Sequence, residues 1–261
     1  MKLGNDIAAI VTGGASGLGA ASAAALAEAG CKVAIFDTNR EAGEAFAKSI
    51  GGLFCFCDVT SEATVSTAIE WARGEHGPER VLVNCAGIAI GQKTVSRDRQ
   101  TGAVVAHSLK AFEKVLAVNL FGTFHMITRS AASMVTLDPV NKDGTRGVIV
   151  CTASVAAQDG QAGQVAYAAS KGGVAAMTLP IARDLARDGI RVNTILPGLF
   201  NTPMFAGLPD DARRALEATV PFPSRLGEPS EYAALVRHIC ENEMLNGASI
   251  RLDGSLRMGP R

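Results

Sequence analysis

Two side chains able to move a proton stand four residues apart in the segment Tyr167-Ala168-Ala169-Ser170-Lys171. On a helix that spacing puts the phenol and the amine on one face. A free tyrosine titrates near 10 and is a poor acid or base at neutral pH. A neighbouring ammonium favours the phenolate and draws that pKa toward the working range. Ser154 follows the apolar run 148–152, so its hydroxyl emerges near the carboxyl edge of a strand. Ligands of open α/β sheets bind at that edge, and the hydroxyl can hold a substrate oxygen beside Tyr167. The Tyr-x-x-x-Lys spacing alone also occurs on idle surface helices, so its meaning depends on the elements around it.

The first of those elements lies at the other end of the chain. Residues 8–19 read Ala-Ala-Ile-Val-Thr-Gly-Gly-Ala-Ser-Gly-Leu-Gly, an apolar run, a glycine-rich turn and the opening of an Ala-rich helix. Glycines let the backbone approach a pyrophosphate, and the helix start offers free N–H groups and partial positive charge. A glycine-rich turn without ligand is the alternative, and the strand before and helix after weigh against it. Gly13, Ser16, Gly17, Leu18 and Gly19 are the candidate phosphate-side residues. Asp37 closes the next apolar run, about 20 residues on, where a carboxylate bonds the adenosine ribose and repels a 2′-phosphate. No Lys or Arg lies in the turn, and the nearest cation, Arg40, reads as a first-turn helix residue beside Glu41. The expected cofactor is NAD rather than NADP.

Short apolar runs at 7–11, 32–36, 53–57, 81–84, 148–152, 191–196 and 249–252 alternate with helical stretches at 17–29, 40–50, 61–74, 109–134 and 164–187. Strand–helix–strand repetition implies right-handed crossovers and a parallel sheet. The expectation is an α/β, doubly wound parallel sheet (Rossmann fold) in three α/β/α layers. Prolines gather from Pro197 to Pro229 rather than at a midpoint hinge, so one domain over 1–261 is expected.

Composition limits the function classes. With 25 basic and 25 acidic residues the net charge is zero, against a general nucleic-acid or anionic-membrane binder. At 48% hydrophobic and 19% charged residues the chain can bury a sizeable core. Cys31, Cys55, Cys57, Cys85, Cys151 and Cys240 sit mostly in apolar runs, as free buried thiols do. No CxxC or HExxH occurs and the four histidines are scattered, so no metal site is expected. The start of the chain shows no leader or transit pattern, and cytoplasmic localisation is the expectation.

These residues together resemble the short-chain dehydrogenase/reductase family, from about residue 7 to the C-terminus. The matching motifs are Thr12-Gly13-Gly14-Ala15-Ser16-Gly17-Leu18-Gly19, Asp58-Val59, Asn84-Cys85-Ala86-Gly87, Asn119, Ser154, Tyr167-x-x-x-Lys171 and Pro197-Gly198. The resemblance implies that Tyr167 is the general acid/base and that Ser154 orients the substrate oxygen. It implies that Lys171 lowers the tyrosine pKa and binds the nicotinamide ribose, and that Asn119 supports a proton-relay water. Asp58 and Val59 would contact the adenine, with Asn84, Cys85, Ala86 and Gly87 along the adenosine side.

Further segments, among them Thr152–Ala157, 177–186, 220–227 and 250–254, are similar to the branch of that family acting on 3-hydroxyacyl-CoA with NAD. That likeness places Phe200 and Thr202 near the nicotinamide end. It also draws attention to residues 91–107, where Lys93, Arg97 and Arg99 would meet the phosphates of a CoA thioester. A solvated, mobile loop, in which Asp98 partly offsets the charge, is the reading the residues themselves favour. Gln158, Gln161 and Gln164 lie between Ser154 and Tyr167 and either edge the substrate pocket or are ordinary loop residues. His125 and Trp71 read as packing or surface residues. Helices 109–134 and 164–187 are apolar around much of their circumference, which fits subunit contacts, and the resemblance implies a homotetramer. The leading function is NAD-dependent interconversion of a secondary alcohol and a ketone, with a 3-hydroxyacyl-CoA substrate. A hydroxysteroid or other secondary alcohol is the alternative. A non-catalytic cofactor-binding scaffold is a third, which has no need of Ser154, Tyr167 and Lys171.

Overall fold

The computed structural model describes residues 1–203 and 209–260. Seven parallel strands form the central sheet: β1 (Ala8–Thr12), β2 (Lys32–Asp37), β3 (Leu53–Phe56), β4 (Glu79–Asn84), β7 (Gly147–Thr152), β8 (Ile190–Pro197) and β9 (Ser249–Leu252). Between β4 and β7 the chain adds a separate antiparallel pair, β5 (Val95–Arg97) and β6 (Val104–Ala106). The helices are α1 (Gly17–Glu28), α2 (Arg40–Ser49), α3 (Glu62–His76), α4 (Leu109–Leu116), α5 (Thr123–Met134), α6 (Val165–Asp184), α7 (Asp210–Glu217) and α8 (Pro229–Glu241).

Every residue of β1, β7 and β8 is buried, because helices cover both faces of the sheet. Alternation within each strand divides the core in two. Ile10, Leu82 and Ile149 join α3, α5 and α6 on one face. Val11, Val83 and Val150 join α1 and α8 on the other. The strand order is β3-β2-β1-β4-β7-β8-β9. The chain therefore winds outward from β1 in one direction, then returns to β4 and winds the other way. The crevice at that reversal, above the carboxyl ends of β1 and β4, is where such sheets take ligands.

Three local expectations change. The stretch 109–134 is not one helix: a π-helical turn, Ala117–Gly122, separates α4 from α5. A Cβ on Gly122 would lie 2.5 Å from Val59 Cγ2, so the glycine lets this turn press against the loop after β3. The helix predicted over 164–187 stops at Asp184, followed by a 3-10 turn and Gly189 at φ 68°. Residues 91–107 are not an unstructured loop but contain the β5–β6 hairpin. Asp98 Oδ1 accepts from Gln100 N at 3.0 Å and Thr101 N at 2.7 Å, shaping its tip, and Gly102 takes φ 72°. Helix α7 lies within the proline-bearing stretch 197–229. Helix α8 starts with Pro229 in its first turn and a capping box between Glu228 and Glu231. Among the described residues no helix is long and apolar enough to cross a membrane.

Candidate active site

The glycine turn after β1 is shaped by close approaches. Gly13 has φ 62° and Gly17 φ 55°. A Cβ on Gly13 would stand 2.8 Å from the Ala86 backbone, and one on Gly19 only 2.1 Å from the Gly13 carbonyl oxygen. The turn thus nests against both the β4 loop and its own helix. Ser16 caps α1 by position, yet its side chain makes no capping bond, leaving helix-start N–H groups for an anion. Thr12 Oγ1 accepts from the N–H groups of Cys85 and Ala86, each at 3.2 Å. This hydroxyl ties the β1 turn to the β4 turn.

Asp37 ends β2 at the edge of the same turn. Its Oδ2 accepts from Ala15 N at 3.1 Å and its Oδ1 from Asn39 N at 2.9 Å. Both bonds anchor the carboxylate beside the glycines with no cation in the turn. Arg40 pairs instead with Glu44 at 3.2 Å and lies over the rings of Phe54 and Phe56. Asp58 turns its Oδ1 to Thr60.

A cleft of about 700 Å³ runs from this turn to the carboxyl ends of β7 and β8. Its walls bring together Gly13, Ser16, Gly17, Leu18, Gly19, Asp37, Asp58, Val59, Cys85, Ala86, Gly87, Pro197, Gly198, Phe200 and Thr202 with Ser154, Gln164, Tyr167 and Lys171. Three candidates lie outside those walls. Asn84 turns Nδ2 to Cys151 Sγ at 3.8 Å, beneath the cleft floor. Asn119 is fully buried; its Oδ1 accepts from Ile88 N at 2.8 Å, and its Nδ2 donates to Ile88 O at 2.9 Å and Ser170 Oγ at 3.0 Å. Gln158 does not edge the pocket, because its Oε1 accepts from Arg251 at 2.7 Å. Gln161 is a wall residue.

At the far end, Ser154 follows β7 and its Oγ accepts from Ala156 N at 3.1 Å. Tyr167 and Lys171 share one face of α6, with Nζ 5.8 Å from the phenol ring centre. Lys171 is 5% exposed and donates to the Thr152 carbonyl at 2.7 Å. Burial lowers its pKa from 10.5 to about 8. Burial also raises the Tyr167 phenol above its ordinary value, with the Ser154 hydroxyl acting the other way. The expected downward pull of Lys171 on Tyr167 is therefore not what dominates in the protein alone: desolvation does. A Cβ on Gly87 would sit 3.3 Å from Asn119 Oδ1 and 3.4 Å from Lys171 Nζ. The bare backbone of Gly87 is what lets these two side chains flank it.

Cys85 is explained by its neighbours. Thr152 Oγ1 lies 3.4 Å from its sulfur and 2.6 Å from the Tyr232 hydroxyl of α8. Burial pushes this thiol up, so it is a packed floor residue. Among the described residues no group of three or more His, Cys, Asp or Glu could hold a metal. A dinucleotide fits what is present: a glycine turn with free helix-start N–H groups, a carboxylate at its edge and the Ser154, Tyr167 and Lys171 side chains in one cleft. Two wall residues, Leu216 and Met258, carry no sequence signal, since they reach the site from about fifty and ninety residues beyond Tyr167.

Comparisons with known proteins agree with this geometry. The short chain dehydrogenase family model matches residues 7–213. A Drosophila melanogaster protein named 3-hydroxyacyl-CoA dehydrogenase type-2 is 53% identical over 96% of this chain and 97% of its own length. The Homo sapiens protein of that name is 52% identical over 97% of this chain and 96% of its own. A crystal structure of 3-hydroxyacyl-CoA dehydrogenase type-2 from Mycobacterium avium superposes with a TM-score of 0.93, at 39% identity and full coverage of both chains. The chain belongs to the short-chain dehydrogenase family. It is an oxidoreductase of the class acting on CH–OH groups.

Proposed function

We propose that the protein interconverts a 3-hydroxyacyl-CoA and a 3-oxoacyl-CoA, using NAD. One observation carries this reading: Ser154, Tyr167 and Lys171 open into the same cleft as the glycine turn and Asp37, in a chain about half identical, end to end, to relatives of that name. In the oxidative direction Ser154 and Tyr167 hold the 3-hydroxyl. Tyr167 takes the hydroxyl proton as the carbinol carbon is oxidised, and the reverse reduction uses the same groups; NAD, held along the glycine turn and Asp37, would supply the hydride acceptor. The buried Lys171 ammonium lies beside the phenol and stabilises it as it ionises. Asp37 favours the free 2′-hydroxyl of NAD over a phosphate. Asn119 bridges Ile88 and Ser170 and so sets the turn that borders this apex, which supports its role beside the relay.

Lys93, Arg97 and Arg99 are exposed on and around the β5–β6 hairpin. The hairpin base is bonded to the loop before α6, through Gln92 N to Gly163 O at 2.8 Å. These are the cations we assign to the CoA phosphates. Exposed Leu109, Phe121 and Phe124 around α4 and α5, with Val165 and Leu179 on α6, support a homotetramer. Six unpaired thiols support a reducing, cytoplasmic setting. The test is Tyr167→Phe assayed with acetoacetyl-CoA, a steroid ketone and a simple ketone, each with NADH and NADPH. NADH binding is retained while turnover falls by orders of magnitude, with acetoacetyl-CoA and NADH the preferred pair in the unmodified protein. Preserved turnover in the variant refutes the assignment of Tyr167, and a preferred steroid refutes the substrate.

A further inference from the structure

On the Tyr167 side, the cleft is walled in part by a segment from near the end of the sequence. Gly259 O accepts from Gln161 Nε2, and Pro260 O from Ala162 N, each at 3.0 Å. Residues 259–260 therefore lie along the 161–164 segment that leads from Ser154 to Tyr167. Met258, one residue before, is a wall residue of the cleft together with Leu216 of α7. Both side chains pack on a small apolar cluster of Leu199, Val220, Leu226 and Leu256, separate from the two main cores. Among the described residues, the cluster that Leu216 and Met258 pack on is hydrocarbon and thioether, in contrast to the polar groups of Ser154, Tyr167 and Lys171.

Arg251 of β9 holds the arrangement in place. Its guanidinium donates to Asp253 Oδ2 at 2.7 Å, Gln158 Oε1 at 2.7 Å, Asp159 Oδ2 at 2.6 Å and Leu256 O at 2.8 Å. One side chain thus joins the loop after Ser154 to the segment that delivers Met258. Arg251 and its two carboxylates are mostly buried, and charge-assisted bonds in such a setting are among the stronger ones. This also explains why Gln158 points away from the pocket.

We propose that Met258 is a specificity-determining residue, forming the apolar stop that limits the acyl chain, with Arg251 as the residue that positions it. The inference rests on the acyl-CoA reading for its natural substrate, while its geometry concerns the chain-length end of the cleft whatever the head group. An unbranched thioether fills an irregular apolar corner and yields to shape changes more readily than a branched side chain. Shortening it extends the corner; a rigid ring in its place shortens it.

The experiment measures kcat/KM with NADH for 3-oxoacyl-CoA thioesters of four to twelve carbons and, in parallel, for straight-chain 2-alkanones of four to ten carbons. Met258→Ala raises the ratio of long-chain to four-carbon kcat/KM at least tenfold, and Met258→Phe lowers it by a similar factor, with the KM for NADH unmoved in both. Arg251→Gln broadens the preference, raises KM for every chain length more than it lowers kcat, and speeds carboxypeptidase release of the last residues. Ratios within twofold of the unmodified protein in both Met258 variants overturn the proposal. Turnover of the alkanones with no turnover of any thioester overturns the acyl-CoA reading alone, and the alkanone ratio then decides the role of Met258. If Met258→Ala fails to fold, Met258→Leu and Met258→Phe give the comparison.

Discussion

The role proposed for Lys171 sets folding against catalysis. Its ammonium is almost wholly buried, and burial brings its pKa from 10.5 to about 8. A difference of that size corresponds to about 3 kcal/mol of penalty for keeping the group charged in the folded protein. The folded pKa is depressed, so the unfolded chain binds more protons between about pH 8 and 10.5, and stability rises with pH across that window. Below it the whole penalty is present; at pH 10 only about 1 kcal/mol is left. Replacing Lys171 by Met removes the penalty and also removes the bond to the Thr152 carbonyl, a loss of about 1 kcal/mol. The cofactor-free Lys171→Met protein is therefore expected to be more stable than the parent by about 2 kcal/mol at pH 7 and about equal to it at pH 10. Urea unfolding at both pH values, at constant ionic strength and without NAD, measures this. A variant less stable at pH 7 by an amount unchanged at pH 10 refutes the reasoning, since the lysine would then carry no burial penalty. Turnover by the variant should be close to abolished, so the stabilising change is also the disabling one.

Other consequences are quickly stated. Gly19→Ala forces a Cβ to 2.1 Å from the Gly13 oxygen, so NADH affinity by fluorescence titration should fall at least a hundredfold, and unchanged affinity would show that the turn can open. Asp37→Ser removes the charge beside the ribose site and should shift the NAD-over-NADP ratio of kcat/KM by about tenfold or more. Arg73 makes two 2.9 Å bonds to Glu79, whose side chain is 1% exposed; Arg73→Met strands that carboxylate and should cost about 3–5 kcal/mol in urea unfolding. Replacing Lys93, Arg97 and Arg99 together should reduce kcat/KM for acetoacetyl-CoA and spare a small free ketone. Equal losses on both substrates would remove the hairpin from CoA recognition.

Much of this site is legible in the sequence because its parts are local. The glycine turn, Asp37 and the Tyr167–Lys171 pair each depend on spacing within one strand–turn–helix or one helical turn, and short continuous apolar runs against longer stretches of period 3.6 separate the central strands from the helices. What spacing does not report is where a long return path ends. Met258 and Leu216 reach the cleft through tertiary packing, and no local pattern marks them. Gln158 sits at the right sequence position, but Arg251, 93 residues on, turns it away. The π-turn is equally hidden: 109–134 carries a continuous helical pattern, and the backbone at Ala117–Gly122 widens its turn without a mark in the sequence. A downward pull on Tyr167 follows from charge alone, whereas the upward push comes from burial that only the fold supplies.

The hydroxyl of Thr12 has a bearing on affinity. By accepting from both Cys85 N and Ala86 N, it fastens two loops that come from strands far apart in the chain, so they form one rigid floor. A nucleotide then meets a surface already in its binding shape, and ordering two separate loops does not subtract from its binding free energy. Without that pin, the competent floor would be a fraction of a fluctuating population, and the apparent dissociation constant would rise in inverse proportion to that fraction. One threonine, touching no substrate, would in this way govern how much NAD the protein needs.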